Sequence, residues 1–239
     1  GVYQIPNSDF ENWAADNEPG NGWYSFASAR TEDLGSLAGF ATMFSPHPTK
    51  VTGYNGGSAV QLKTGTVANA NGNLTTGKIN MGSSTPSDKA NYNFTDLTET
   101  THNLLFAGTP DSVACYAKFT SGGSEYGRGQ FILHDEYRYC APESSNEEGY
   151  ETHKVALAAI HILACEDWTR FSAAFEYTGT VKPEKQYMLA SFTTNPIPGG
   201  ETTGDILIID DVKLIYNSQL ASLSYDGVDI FQAGKTSYN

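Results

Sequence analysis

The sequence predicts an all-β protein, a jelly-roll antiparallel β-sandwich, from three observations. Helical periodicity is scarce: no window sustains apolar residues at i, i+3, i+4 and i+7 between caps over three turns. Short alternating apolar runs recur instead. Clusters of Gly, Ser, Asn and Pro separate those runs, as turns do.

Taken in chain order, Asp33 to Thr42 is the best helical candidate, weakened by Gly35 and Gly39. Asp111 to Thr120 alternates cleanly, with Val113, Cys115, Ala117 and Phe119 on one face. Gln130 to Asp135 turns Phe131 and Leu133 inward, and Lys154 to Ala164 and Thr169 to Tyr177 are further strands. Gln186 to Thr194 places Met188, Ala190 and Phe192 on one face. Asp205 to Tyr216 is the strongest run: apolar through Ile209, then two aspartates, then Val212 and Leu214. It predicts a central strand buried for most of its length. Strict alternation would point Asp211 away from Asp210.

The intervening clusters at Tyr54–Gly57, Asn69–Gly77, Gly82–Ser87, Ser121–Ser124 and Pro196–Gly204 are turns and loops, not linkers. Several are long for hairpins, which suits a sandwich whose end loops face a ligand. Residues 1–216 therefore form the predicted sandwich domain. Residues 217–239 read as a linker and two strand-like pieces, Leu220 to Tyr225 and Val228 to Phe231, about Asp226-Gly227. Either they pack on the sandwich or they open a second domain that is cut away.

Composition narrows the partners. The net charge of −13, with no basic run, opposes binding to nucleic acid or to an anionic membrane surface. It leaves neutral or cationic ligands and divalent cations, and solubility alone explains it equally. No signal peptide or membrane span is present, and a leader or lipid anchor would have stood upstream of Gly1. Cys115, Cys140 and Cys165 show no Cys-x-x-Cys spacing, so a zinc site is not expected. Two of them could pair in an oxidising compartment, and Cys115 reads as core.

Sugar recognition needs flat aromatic faces and side chains that hydrogen-bond hydroxyls. Both are densest in one stretch, and it supplies the candidate ligand-binding residues Tyr126, Arg128, His134, Glu136, Tyr137, Arg138 and Tyr139. Alternation puts His134 and Glu136 on the outward face with Gln130. An ordinary soluble surface with scattered tyrosines accounts for the same residues. Trp13, Trp23 and Trp168 are expected in the core, and His47, His102, His153 and His161 lack metal spacing. A glycoside hydrolase would need two carboxylates roughly 5–10 Å apart. The candidates are Asp135, Glu136, Glu143, Glu147, Glu148, Glu166 and Asp167, and nothing singles out a pair. A Gly-x-Ser-x-Gly elbow, a His-Glu-x-x-His helix and a phosphate loop are absent.

Two ends of the chain carry a resemblance. The opening has Asn7-Ser8-Asp9-Phe10-Glu11-Asn12-Trp13, then Gly22-Trp23. The middle has Gly56-Gly57-Ser58-Ala59-Val60-Gln61-Leu62, and the end has Trp168 and the strand Asp205 to Leu214 with Ile209-Asp210-Asp211-Val212. In order and spacing these pieces resemble jelly-roll carbohydrate-binding modules. The stretch Asp210 to Leu223, with Glu166 to Phe171 before Phe175 to Tyr177, is similar to the Bacteroidetes family named "putative carbohydrate metabolism domain". The resemblance spans Gln4 to Tyr216 and implies a jelly roll, export to the cell surface and a role around glycans. It hands over no catalytic residues. In many modules of this shape a structural calcium ties the first and last strands, and by matched position Asp9, Glu11 and Asp210 would be its side-chain ligands. Calcium takes six to eight oxygens, so carbonyls or water would complete the set; turn capping or solvent exposure explains the same carboxylates.

The expectation is thus a monomeric module, extracellular or displayed on the outer membrane, that binds an oligo- or polysaccharide and does not itself insert into a membrane. Two alternatives stand beside it: a glycoside hydrolase with paired carboxylates, and a structural or adhesion module that binds no sugar.

Overall fold

The structure is a computed structural model and describes residues 3–15, 17–67 and 70–217, with the backbone of 224–225 and 228–229. In chain order the elements are α1 (Ala38–Phe44), β1 (Thr49–Thr52), β2 (Ser58–Lys63), β3 (Asn73–Thr75), β4 (Lys78–Met81) and β5 (Asn91–Phe94). There follow β6 (Ser112–Thr120), β7 (Gly127–His134), β8 (Cys140–Ala141), β9 (Lys154–Ile162) and β10 (Cys165–Ala174). The last are β11 (Glu176–Tyr177), β12 (Tyr187–Thr193), β13 (Ile206–Ile215), β14 (Ser224–Tyr225) and β15 (Val228–Asp229).

The strands build two five-stranded antiparallel sheets in the orders β1-β2-β13-β6-β10 and β11-β9-β7-β12-β3. Their inner faces supply the core: Val60, Leu62, Phe119 and Leu207 from the first sheet meet Phe131, Ile160, Phe192 and Leu74 from the second. Cys115 lies there too, 1% exposed, with burial pushing its thiol pKa up to about 12. This is the predicted all-β sandwich, and β6, β9, β12 and β13 fall on the predicted runs. All three cysteines are free thiols.

Two local irregularities depart from simple alternation. In β13 the register shifts between Asp210 and Lys213, and Asp211 takes a left-handed φ of 47°. That bulge moves the inward set from Leu207 and Ile209 to Val212 and Leu214, so the extra residue keeps apolar side chains facing the core. The helical candidate also splits. Gly35, at φ 56° and ψ −122°, breaks a 3₁₀ segment, Glu32–Leu37, and α1 begins only at Ala38. β14 and β15 pair antiparallel; the rest of the predicted pieces Leu220 to Tyr225 and Val228 to Phe231 lies outside the described residues.

The outer face of the second sheet positions the site. On β7 its outward row reads Arg128, Gln130, Ile132, His134, and on β12 the facing row reads Thr193, Ser191, Leu189, Tyr187. The apolar end of these rows, Ile132 and Leu189, is covered by Tyr139 and Ala141. Ala141 comes from the small sheet β4-β5-β8, which folds over that end. The polar end stays uncovered.

Candidate functional site

A cleft of about 360 Å³ occupies that uncovered end, within the size range of small-ligand sites. Its floor comes from three strands of the outer face: Asn73 of β3, Arg128 and Gln130 of β7, and Ser191 and Thr193 of β12. Asn93 of β5 closes one side. The floor is cross-linked. Asn73 Nδ2 donates to Asn93 Oδ1 at 2.8 Å, and Asn93 Nδ2 donates back to Asn73 Oδ1 at 2.9 Å and to Ser191 Oγ at 2.9 Å. Ser191 Oγ passes the chain on to Thr75 Oγ1 at 3.2 Å. Buried amides demand such partners, and here they hold each other rigid.

Gln130 is different. It is 8% exposed, lines the cleft, and its side-chain amide makes no hydrogen bond to any described residue. Arg128 is half-buried at one end of the floor, where Nη1 donates to the Pro196 carbonyl at 3.3 Å. Desolvation moves its pKa below the ordinary arginine value.

The opposite wall is apolar. Leu37, Phe40 and Phe44 line it from α1 and the residue before, while remaining 52%, 56% and 41% exposed. The Phe40 and Phe44 rings lie 4.2 Å apart. No α1 residue is buried, so the helix is not held by a core stripe of its own. It is held from its N-terminal side: Arg30 pairs in backbone with β4, and its guanidinium bonds Asn80 Oδ1 at 2.8 Å, Asp33 at 2.9 Å and Glu32 at 3.1 Å. Flat rings on one side and amides on the other can take a molecule with an apolar face and a hydroxylated edge.

The predicted ligand-binding residues do not converge on the cleft. Arg128 alone among them lines the cleft. His134, expected on an open outward face, and the candidate ring Tyr139 are both 0% exposed, because Tyr139 folds back over His134 with ring centroids 5.1 Å apart. His134 Nδ1 donates to the Asp135 carbonyl at 2.7 Å, so Nε2 accepts the Thr95 hydroxyl at 2.8 Å, and burial pushes the imidazole down to about 4. Tyr126 stacks on His161 at 4.0 Å, Tyr137 on His153 at 4.0 Å, and Arg138 lies over Phe94 at 4.0 Å. Glu136 is exposed and pairs with Lys185 at 3.0 Å.

Of the three tryptophans, Trp23 is fully buried and Trp13 packs against the core. Trp168 is not core: the register break between Cys165 and Thr169 turns it out, against Tyr54 at 6.1 Å and beneath Lys118 at 5.1 Å. None of the seven hydrolase candidates lines the cleft; Asp135 pairs with His153 at 2.8 Å and Glu143 with Lys154 at 2.9 Å. Among the described residues lining the cleft, Glu201 is the one carboxylate, and its Oε1 accepts the Gly199 N–H at 2.9 Å.

The chain ends do meet. Asp210 accepts the N–H groups of Tyr54 at 2.8 Å and Asp211 at 2.7 Å, and Glu11 accepts that of Ser58 at 2.8 Å, so both carboxylates grip the β1–β2 turn. Desolvation, ahead of repulsion from Asp211 and Glu11, pushes Asp210 up to about 6. Asp9 instead accepts the Glu11 N–H at 3.3 Å. Among the described residues no three ligating side chains converge on a point, and backbone amides already occupy oxygens of all three carboxylates.

The cleft residues other than Arg128 were missed as a site in the sequence because they come from distant segments. Leu37, Phe40 and Phe44 carry helical spacing, which ordinarily marks a core stripe.

No protein-family model matches the chain, and no curated protein sequence is similar to it. Among solved structures, the chain is similar to a "putative glycoside hydrolase" of Bacteroides thetaiotaomicron, with TM-score 0.59 and 18% identity over 90% of this chain and 72% of that one. A "putative sugar binding protein" of the same organism aligns with TM-score 0.40 and 12% identity over 89% of this chain and 98% of that one. At such identity the first likeness shows a shared fold.

Proposed function

We propose that this protein binds carbohydrate in the cleft between α1 and the outer face of the second sheet. One observation carries the proposal: exposed Phe40 and Phe44 rings share the cleft with a floor of fixed amides and hydroxyls, where the Gln130 amide bonds no described residue. A pyranose has the same two-sided character, a C–H face for the rings and a hydroxyl edge for the amides. The description of the fold neighbour as a glycoside hydrolase supports a carbohydrate context. The single cleft carboxylate, Glu201, supports binding over hydrolysis, since hydrolysis in the usual geometry uses two.

The test is affinity electrophoresis through gels holding plant and host polysaccharides, with the chain and its Gln130→Ala and Phe40→Ala/Phe44→Ala variants. Retardation of the native chain, lost in the variants and without sugar release, is expected. No retardation by any polymer would sink the proposal, and clearing of a polymer would replace it with hydrolysis.

A further inference from the structure

We infer that the cleft selects an acid-bearing glycan, an otherwise neutral oligosaccharide whose single sugar carboxylate sits on Arg128. This rests on the carbohydrate-binding proposal and names the ligand class for the same site. Arg128 stands apart from the other shielded cations among the described residues. Arg30, Lys78 and Lys154 are also partly withdrawn from water, and each holds a carboxylate, at 2.9 Å in every case. Lys118, the remaining one, has no carboxylate partner but lies over the Trp168 ring at 5.1 Å. Arg128 holds none within 4.0 Å among the described residues, although the chain carries 27 Asp and Glu. Withdrawing a cation from water is costly unless an anion compensates.

A guanidinium carries five donors in a planar fork. Arg128 uses one of them, on the Pro196 carbonyl at 3.3 Å, a long bond. The fork matches a carboxylate two bonds to two, which a lone carbonyl cannot do. Its β12 neighbour in register is Thr193, whose hydroxyl already donates to the Asn195 carbonyl at 2.8 Å. Its β9 neighbour is His161, stacked under Tyr126. Neither supplies a negative charge; the carboxylate that acts on Arg128, Glu143, does so from beyond 4.0 Å and is already paired with Lys154 at 2.9 Å.

The rest of the cleft limits how acidic the ligand can be. Its other floor groups are neutral amides and hydroxyls, and Glu201 stands in the same lining. The chain as a whole is at −13. A densely charged polyanion would be repelled by that field, whereas one carboxylate on a neutral chain meets Arg128 at short range, inside a Debye length of about 8 Å. A uronic or sialic acid residue within a neutral glycan has that chemistry.

The experiment uses the full chain and soluble oligosaccharides in matched pairs: xylan fragments with and without a glucuronate branch, lactosamine with and without sialic acid, and galactan fragments with and without galacturonate. Each acid is also tested as its methyl ester, and sulfated galactans are included. Expected is binding of an acid-bearing member at least about tenfold tighter than its neutral partner and its ester. Arg128→Gln should erase that difference, so that acid-bearing and neutral members bind the variant alike, and Arg128→Lys should restore part of it. Should Arg128→Gln fail to fold, the acid-to-ester ratio on the native chain decides the question by itself. Equal binding of acid and neutral members, or preference for sulfate esters, overturns the acid-glycan inference and leaves the carbohydrate proposal standing. No binding to any member overturns both.

Discussion

Asn73 and Asn93 exchange two amide hydrogen bonds, 2.8 and 2.9 Å, across the junction between the second large sheet and the small sheet. The pair joins two strands that share no ladder, since β3 is bonded to β12 and β5 to β4 and β8. Each amide is nearly buried, so each is the other's replacement for water.

Removing one partner is therefore worse than its size implies. Asn93→Ala strands both polar atoms of the Asn73 side chain and removes the donor to Ser191 Oγ. It is expected to destabilise by about 1–3 kcal/mol, the cost of leaving buried polar groups unsatisfied. Chemical denaturation of the variant checks this. A loss below about 0.5 kcal/mol would mean that water or relaxation replaces the amide.

The wall of the cleft makes the opposite trade. Phe40 and Phe44 are more than a third exposed and no α1 residue is buried. Phe40→Ala/Phe44→Ala should leave the melting temperature within about 2 °C, because little apolar area leaves the core. The same variant should weaken glycan binding about tenfold, through lost ring stacking. Equal affinity in variant and native chain would place the ligand elsewhere.

Much of the fold was legible in the sequence and little of the site was. β6, β12 and β13 each send an apolar row into the core, so Val113-Cys115-Ala117-Phe119 and Met188-Ala190-Phe192 alternate as strands do. The strands β3, β4 and β5 read Asn-Leu-Thr, Lys-Ile-Asn-Met and Asn-Tyr-Asn-Phe, and their amides are buried by pairing rather than by hydropathy. No hydropathy period reports that. The small sheet was invisible for this reason, and with it the cover that hides His134 and Tyr139. Arg128 was legible as an outward polar residue on its strand. That it alone of its group reaches an open cleft depends on which half of the β7 row is covered, which is a tertiary fact.

Asp205 anchors the loop that ends beside the cleft. It is fully buried and pairs with no cation among the described residues; its carboxylate accepts hydrogen bonds from Gly122 N–H at 2.7 Å, from Thr202 Oγ1 at 2.8 Å and from the Ser124 hydroxyl. These bonds tie the 121–124 turn to the 202–205 turn. Asp205→Ala is expected to cost more than about 2 kcal/mol, because hydrogen bonds to a charged group are the stronger kind and several donors are stranded at once. Asp205→Asn should cost less, since one oxygen remains. Urea denaturation of both variants compares the two, and equal losses would show that packing rather than acceptor number matters.

His134 sets the acid stability. Its folded pKa is lowered to about 4 from an ordinary 6.5, chiefly by burial. The unfolded chain therefore binds the extra proton first as pH falls. The stabilisation is fully present above about 6.5 and is lost between 6.5 and 4, some 3 kcal/mol at about 1.4 kcal/mol per unit. Asp210 runs the other way: its folded pKa is raised to about 6, so the folded state takes up its proton first and gains stability as pH falls through that value. The two contributions oppose each other over the same window, and the native chain should show a shallow dependence. His134→Gln keeps an amide able to meet Thr95 and removes the titration. Its stability relative to the native chain should rise as pH falls from 7 to 4.5, and its own profile should slope toward greater stability in acid. Urea denaturation of both chains at several pH values reads this directly, and parallel profiles for the two would show that His134 stays accessible to protons in the folded state.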